Sequence, residues 1–283
     1  QARFHAPGSG VAAVSSSEDG TEKLLIELFD GESVEMVLIP SEERLTFCLS
    51  TQVGCPVQFL FCASGRDGLV RNLSAGEIIE EFLLGSERAG RRPDNLVFMG
   101  IGEGLLNYNE LVKALVLLSS PDEFGMSPRR ITVSTSGYVP GILKFAELER
   151  EFNLAISLHA PDDETRSKLI PPPFCYPVAE IMAAADRYRE QAGRMVTLEY
   201  TLLKGVNDSL PTARKLAALA RSHHAKVNLI PYNATDTEFQ RPERRVIEAF
   251  ARTVEEEGAH VTVRVERGAE STAACGQLRR QEG

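Results

Sequence analysis

An alternation of strand-like and helix-like runs, starting near residue 44 and continuing to near residue 266, does most to limit the folds open to this chain. Short stretches rich in β-branched and apolar residues recur at 44–51, 95–100, 130–136, 153–159, 195–203, 226–232 and 260–266. Amphipathic stretches separate most of them, among them SAGEIIEEFLLGSERA, NELVKALVLLS, VAEIMAAADRYREQA, LPTARKLAALARS and RPERRVIEAFARTVEEEG. Ser74 and Asn109 occupy N-cap positions, and Gly258 stands where a helix should stop. Strands that alternate with helices pair in parallel, with the helices outside the sheet. The pattern therefore predicts an α/β fold, either a barrel or a doubly wound sheet. No G-x-G-x-x-G loop follows the first strand, which disfavours a dinucleotide-binding doubly wound fold. Polar residues instead follow strand after strand: Glu103, then Ser134 and Ser136, Ser157 and His159, Asn207, Asn233 and Cys275. In a (β/α) barrel all strand C-termini open on one rim, where active sites are built.

Ahead of the alternation, KLLIELF and SVEMVLIP flank Asp30-Gly31, the pattern of a β-hairpin over 23–43. Glu35 alternates outward on that hairpin and reads as solvated. Residues 1–22, rich in Gly, Ser and Ala, read as a flexible lead-in without the basic start and apolar core of a secretory signal. The chain begins at Gln1, as a trimmed or processed chain would. Three segments are expected: lead-in 1–22, hairpin extension 23–43 and barrel 44–283. At 283 residues, 43% hydrophobic and 25% charged, the chain can bury a sizeable core. No apolar run is long enough to span a bilayer. The net charge of −9 disfavours broad phosphate binding while leaving room for a local basic rim. Cysteines at 48, 55, 62, 175 and 275 without a secretion signal suggest a reducing compartment, the cytoplasm or an organelle, where thiols more often ligate metal or react than form structural disulfides.

Two of those thiols stand in CPVQFLFC, with Phe59 where a third would complete C-x3-C-x2-C. Three thiolates at that spacing hold a [4Fe–4S] cluster on one short loop. Two Cys seven apart are equally compatible with half-buried core thiols beside Phe59, Leu60 and Phe61. Glu103 alone could cap a following helix. His159 alone could be a hydrogen-bonded structural residue, and Cys275 alone a surface thiol.

Taken in order, CLSTQVGCPVQFLFCASGRDGLVRNLSAGEI, GIGEGLLNY, STSG, SLHAPDDETRSKLIP, GVNDS, NLIPYN and AACGQL resemble the radical S-adenosylmethionine (SAM) methyltransferases of the RlmN/Cfr family, from about Lys23 to Leu278. The resemblance implies a partial (β/α)6 TIM-like radical SAM barrel with an N-terminal β-hairpin extension. It implies SAM and a [4Fe–4S] cluster as cofactors, with Cys55 and Cys62 as cluster ligands. Gly102, Glu103, Ser134, Ser157, Leu158, His159 and Asn233 match positions that line SAM. Cys275 matches a cysteine that is methylated by a first SAM, and whose methyl then reacts, as a radical, with an adenine carbon of RNA. Cys48 matches the cysteine that resolves the protein–RNA adduct, and Glu35 a glutamate assigned as proton acceptor. The implied activity is methylation of adenosine C2 in large-subunit rRNA, with tRNA as a second substrate. The implied partners are RNA and an electron donor such as flavodoxin or ferredoxin. A cytoplasmic monomer is expected, with no membrane partner.

The sequence departs from that family at Phe59, which cannot ligate iron, and at Gly104, where Pro is usual. It departs again at Pro173 and Phe174, where Asn and a basic residue are usual. A counterpart of the helical RNA-binding domain that usually precedes the hairpin is not expected within this sequence. Cys175 matches no family cysteine and reads as structural. Loss of a cluster ligand defines the alternative class, a cluster-deficient barrel acting as an RNA- or protein-binding module.

Overall fold

The computed structural model describes residues 8–264, apart from 234 and 236. The chain opens with an antiparallel meander of β1 (Gly10–Ser16), β2 (Glu22–Glu27) and β3 (Ser33–Pro40). Residues 10–16 thus belong to the sheet rather than to a flexible lead-in. All of β1 is exposed, so it carries none of the apolar alternation that marks a strand in sequence. The expected Asp30-Gly31 turn joins β2 to β3. Gly31 takes φ +85°, and the Asp30 carboxylate accepts the Glu32 N–H at 3.2 Å.

β4 (Leu45–Cys48) pairs antiparallel with β3 and begins the parallel series. A small antiparallel pair, β5 (Gln52–Gly54) with β6 (Leu69–Asn72), closes the base of the loop that carries the cysteines. Next come α1 (Ala75–Ala89), β7 (Asn95–Phe98), α2 (Tyr108–Ser119), β8 (Ile131–Thr135), α3 (Val139–Ala146) and β9 (Asn153–Ser157). The series ends with α4 (Asp163–Ser167), α5 (Val178–Ala192), β10 (Thr197–Leu202), α6 (Leu210–Ser222), β11 (Lys226–Pro231), α7 (Arg244–Glu256) and β12 (Val261–Val263). The sheet runs β1-β2-β3-β4-β7-β8-β9-β10-β11-β12, parallel from β4 onward and open among the described residues. The units β4–α1, β7–α2, β8–α3, β9–α5, β10–α6 and β11–α7 make the expected partial (β/α)6 barrel, and the hairpin is continuous with its sheet.

Local chemistry explains the helix ends. Ser74 accepts from the Glu77 N–H while the Glu77 carboxylate accepts from the Ser74 N–H, a full capping box, and Gly90 closes α1 at φ +66°. The α2 helix starts at Tyr108, so Asn109 lies inside it; the N-cap is Asn107, whose amide is turned inward. A close approach seats α1 on the sheet, since a Cβ on Gly85 would lie 2.6 Å from Met36 Cε and 2.9 Å from Phe47 Cε2. Most of the core lies between the sheet and its helices, with Phe145 stacked on Tyr188 at 5.5 Å.

Glu35 is the clearest departure from the sequence expectation. It is fully buried and paired with Lys23 at 2.9 Å. The β3 strand is covered on both faces: Val34, Met36 and Leu38 enter the main core, while Val37 packs with Cys48 and Ile101. Outward alternation therefore does not mean solvent here.

Candidate active site

The C-terminal ends of the parallel strands surround a cavity whose walls include Gly102, Glu103, Ser134, Ser157, His159 and Asn233. The cysteine loop covers it, presenting Cys55, Phe59 and Cys62 to the same space. Residues far apart in sequence thus meet because each follows a parallel strand.

Gly102 adopts φ +112°, and a Cβ there would fall 2.7 Å from Thr51 Oγ1 and 2.8 Å from Gln52 Cβ, so the turn requires glycine. That turn delivers Glu103, whose N–H donates to Gln52 Oε1 at 2.8 Å. The Glu103 carboxylate accepts the Ser136 N–H at 2.5 Å and the Leu105 N–H at 3.2 Å. It braces two strand ends instead of capping a helix. Burial raises the Glu103 pKa, against the lowering effect of the Ser136 N–H. Glu199 faces the cavity from β10 with its pKa likewise raised by burial, and accepts from Asn228 Nδ2 at 2.8 Å.

His159 takes φ +57°, and its Nδ1 accepts the Thr201 N–H at 3.0 Å. Burial, with the nearby Arg166 cation, brings its pKa down to about 3, so the ring is neutral. Asn207 fixes this corner from below. Its amide donates to the His159 and Thr201 carbonyls, each at 2.8 Å, and accepts the Leu203 N–H at 2.8 Å. Leu158 does not line the cavity: its side chain lies in the core and its N–H donates to the Glu199 carbonyl at 3.0 Å. Cys48 and Glu35 lie away from the cavity wall, and Cys275 falls outside the described residues.

Sequence reasoning missed Arg166. This fully buried guanidinium donates to the Ser136 carbonyl at 2.5 Å, the Ser157 carbonyl at 3.1 Å and the Leu158 carbonyl. Burial lowers its pKa to about 10, leaving it protonated. It ties the ends of β8 and β9 together behind Ser134, Ser157 and His159. Its place in a short helix of charged residues, DETRS, signals only solvent.

The donor sets for the two implied cofactors differ. A buried carboxylate, two serine hydroxyls and an amide facing one cavity suit the ammonium, hydroxyl and base groups of SAM. The cluster set is incomplete: Cys55 and Cys62 are present, Phe59 stands between them, and no group of three metal-ligating side chains occurs among the described residues. Burial pushes the Cys55 thiol up to about 12. The residues present do not fit a three-thiolate [4Fe–4S] cluster.

Comparison with known proteins agrees with the fold. The profile of the Radical SAM superfamily matches residues 49–217. A probable dual-specificity RNA methyltransferase RlmN from Rhodopirellula baltica is 45% identical over 275 residues, covering 96% of this chain and 74% of that protein. The ribosomal RNA large subunit methyltransferase N of Nitrosopumilus maritimus is 44% identical, covering 93% of this chain and 78% of that protein. Among solved structures, a radical SAM methyltransferase from Sphaerobacter thermophilus superposes with a TM-score of 0.92 at 42% identity, covering 98% of this chain and 82% of the other.

Proposed function

Because the chain belongs to the RlmN family of radical SAM RNA methyltransferases, we propose that its cavity binds SAM and serves methylation of an adenosine base, at C2, in RNA. The observation that carries this reading is the convergence of Gly102, Glu103, Ser134, Ser157, His159 and Asn233 on one cavity at the strand ends.

SAM, when bound, supplies a methyl group on a sulfonium centre, an electrophile towards a thiolate. The chain's own residues bind and orient it. Glu103, held by two backbone N–H groups, gives an ammonium group a fixed counter-charge. Ser134, Ser157 and Asn233 offer hydroxyls and an amide to ribose and base. With its pKa near 3, His159 stays uncharged at neutral pH and so does not repel the sulfonium. A target adenine in folded RNA has to leave its stack to reach the cavity mouth. Large-subunit rRNA is the first substrate in this reading and tRNA the second. Cys275 carries the methyl, Cys48 resolves the adduct and Glu35 accepts a proton. No step is assigned to a cluster on the loop as it stands. Flavodoxin or ferredoxin would serve as electron donor once the ligand set is complete. No described helix is long and apolar enough to cross a membrane, and we place the chain in the cytoplasm as a monomer.

The test combines SAM binding by calorimetry with transfer of labelled methyl from SAM to rRNA fragments and to tRNA, using the chain and its Phe59→Cys variant. The chain should bind SAM, and Glu103→Ala should weaken binding by about tenfold or more. Methyl label should enter RNA with the cluster-replete Phe59→Cys protein. A Phe59→Cys protein that holds about four irons and binds SAM, yet leaves both RNAs unlabelled, refutes the reading.

A further inference from the structure

Three features of the cysteine loop bear on iron. Phe59 is firmly seated: its ring stacks on Phe61 with centroids 5.4 Å apart and planes 10° apart, and meets His159 edge to face at 5.2 Å. Phe61 meets the same imidazole at 4.9 Å, so the two phenyl rings and the histidine form one aromatic block on the cavity wall. Such ring pairs contribute beyond their area burial.

The departures also converge. Phe59, Phe174 and Cys175 all pack against one apolar cluster built on Val57, Phe61, Leu169, Ile170, Leu203 and Tyr232. Cys55 and Cys62 pack against it as well. Phe59 and Phe174, two of the positions where this sequence leaves its family's pattern, thus join in a single apolar assembly.

Finally, backbone hydrogen bonds hold the loop. Cys55 N–H donates to the Gly68 carbonyl at 2.9 Å, Leu60 N–H to the Leu169 carbonyl at 3.2 Å and Cys62 N–H to the Phe59 carbonyl at 3.0 Å. Gln58 is held at φ +56°, and a Cβ on Gly65 would come within 2.7 Å of Gln58 Cα. The polar face of the cavity, with Glu103, Ser134, Ser157 and Asn233, is intact opposite this aromatic wall.

We infer that in this chain the 55–62 loop is an aromatic wall of the SAM cavity and not an iron–sulfur loop, so that SAM binds without iron. This rests on the reading above that the cavity binds SAM. Where the family would set an iron corner against the methionyl end of SAM, this chain sets the Phe59 ring.

The full chain, made iron-free and then treated anaerobically with ferrous iron and sulfide, tests this. Iron per chain, absorbance near 400 nm and SAM affinity by calorimetry are measured before and after treatment. The expected result is less than about one iron per chain, no cluster band and a SAM Kd unchanged within about threefold. Phe59→Cys should take up about four irons and show the band. Uptake of about four irons by the unmodified chain overturns the inference alone, whatever the variant does. Failure of the iron-free chain to bind SAM overturns the inference and the reading of the cavity together.

Discussion

Asn207 makes a sharp test of how the rim is held. Its side chain is fully buried and makes three hydrogen bonds to backbone, reaching the His159 and Thr201 carbonyls and the Leu203 N–H at 2.8 Å each. Asn207→Ala leaves those three groups without that partner. Each orphaned buried group costs about 1–3 kcal/mol. Water entering the space vacated by the amide recovers part of this, so a net loss of about 3–5 kcal/mol is expected. For a chain of this size that lowers the melting temperature by roughly 10 °C. Asn207→Asp separates hydrogen bonding from shape. It keeps an acceptor for Leu203 but turns oxygen towards two carbonyl oxygens, and should cost at least as much as Ala at neutral pH. Thermal and urea unfolding followed by circular dichroism measure both, and SAM calorimetry well below the transition reports on the displaced His159. An Ala variant melting within about 1 °C of the parent, or an Asp variant as stable as the parent, would refute the claim that these bonds hold the corner.

Two further outcomes follow from buried charge. Glu81 is fully buried, accepts the Ser50 N–H at 2.9 Å, and burial raises its pKa well above 4.5. A carboxyl whose folded pKa is raised contributes stability below its unfolded value and loses it as pH rises through the folded value. Glu81→Gln should therefore melt higher than the parent by a margin that grows from about pH 5 to about pH 8; a margin that shrinks over that range contradicts the assignment. Arg166→Lys keeps the charge but not the planar fork that serves three carbonyls, whereas Arg166→Met loses both. SAM affinity should fall in the order parent, Lys, Met, and equal affinity in folded parent and Met proteins would show that the guanidinium does not position the rim.

The barrel was legible because its strands carry short apolar runs that repeat between amphipathic helices, and polar residues at the strand ends marked the rim. Less was readable where neighbours decide the outcome. Residues 10–16 form a strand only because β2 offers an edge. Glu35 is buried only because Cys48 and Ile101 pack with Val37 on the second face of β3. The helix α3, VPGILKFA, is short and opens with Pro and Gly, so its periodicity is too brief to register. Arg166 could not be found in sequence, since local composition says nothing about an arginine folded back onto carbonyls. The cysteine loop announced the family through Cys55 and Cys62. That Phe59 and Phe174 share one apolar cluster is a fact of three dimensions alone.

The Lys23–Glu35 pair has a consequence for how the first strands find each other. In the β2–β3 ladder Lys23 lies opposite Val37 and Leu25 opposite Glu35. The alternation of apolar residues penalises a slip by one residue, which would turn every side chain to the other face. It cannot penalise a slip by two, which leaves each residue on its proper side. In one direction such a slip would set Lys23 opposite Ile39, carry the ammonium away from the carboxylate and leave a buried charge alone, at a cost of about 3–5 kcal/mol. In the other it would set Lys23 opposite Glu35 and keep the pair. The pair thus disfavours one of the two neighbouring alignments that hydrophobic patterning treats as equivalent to the native one.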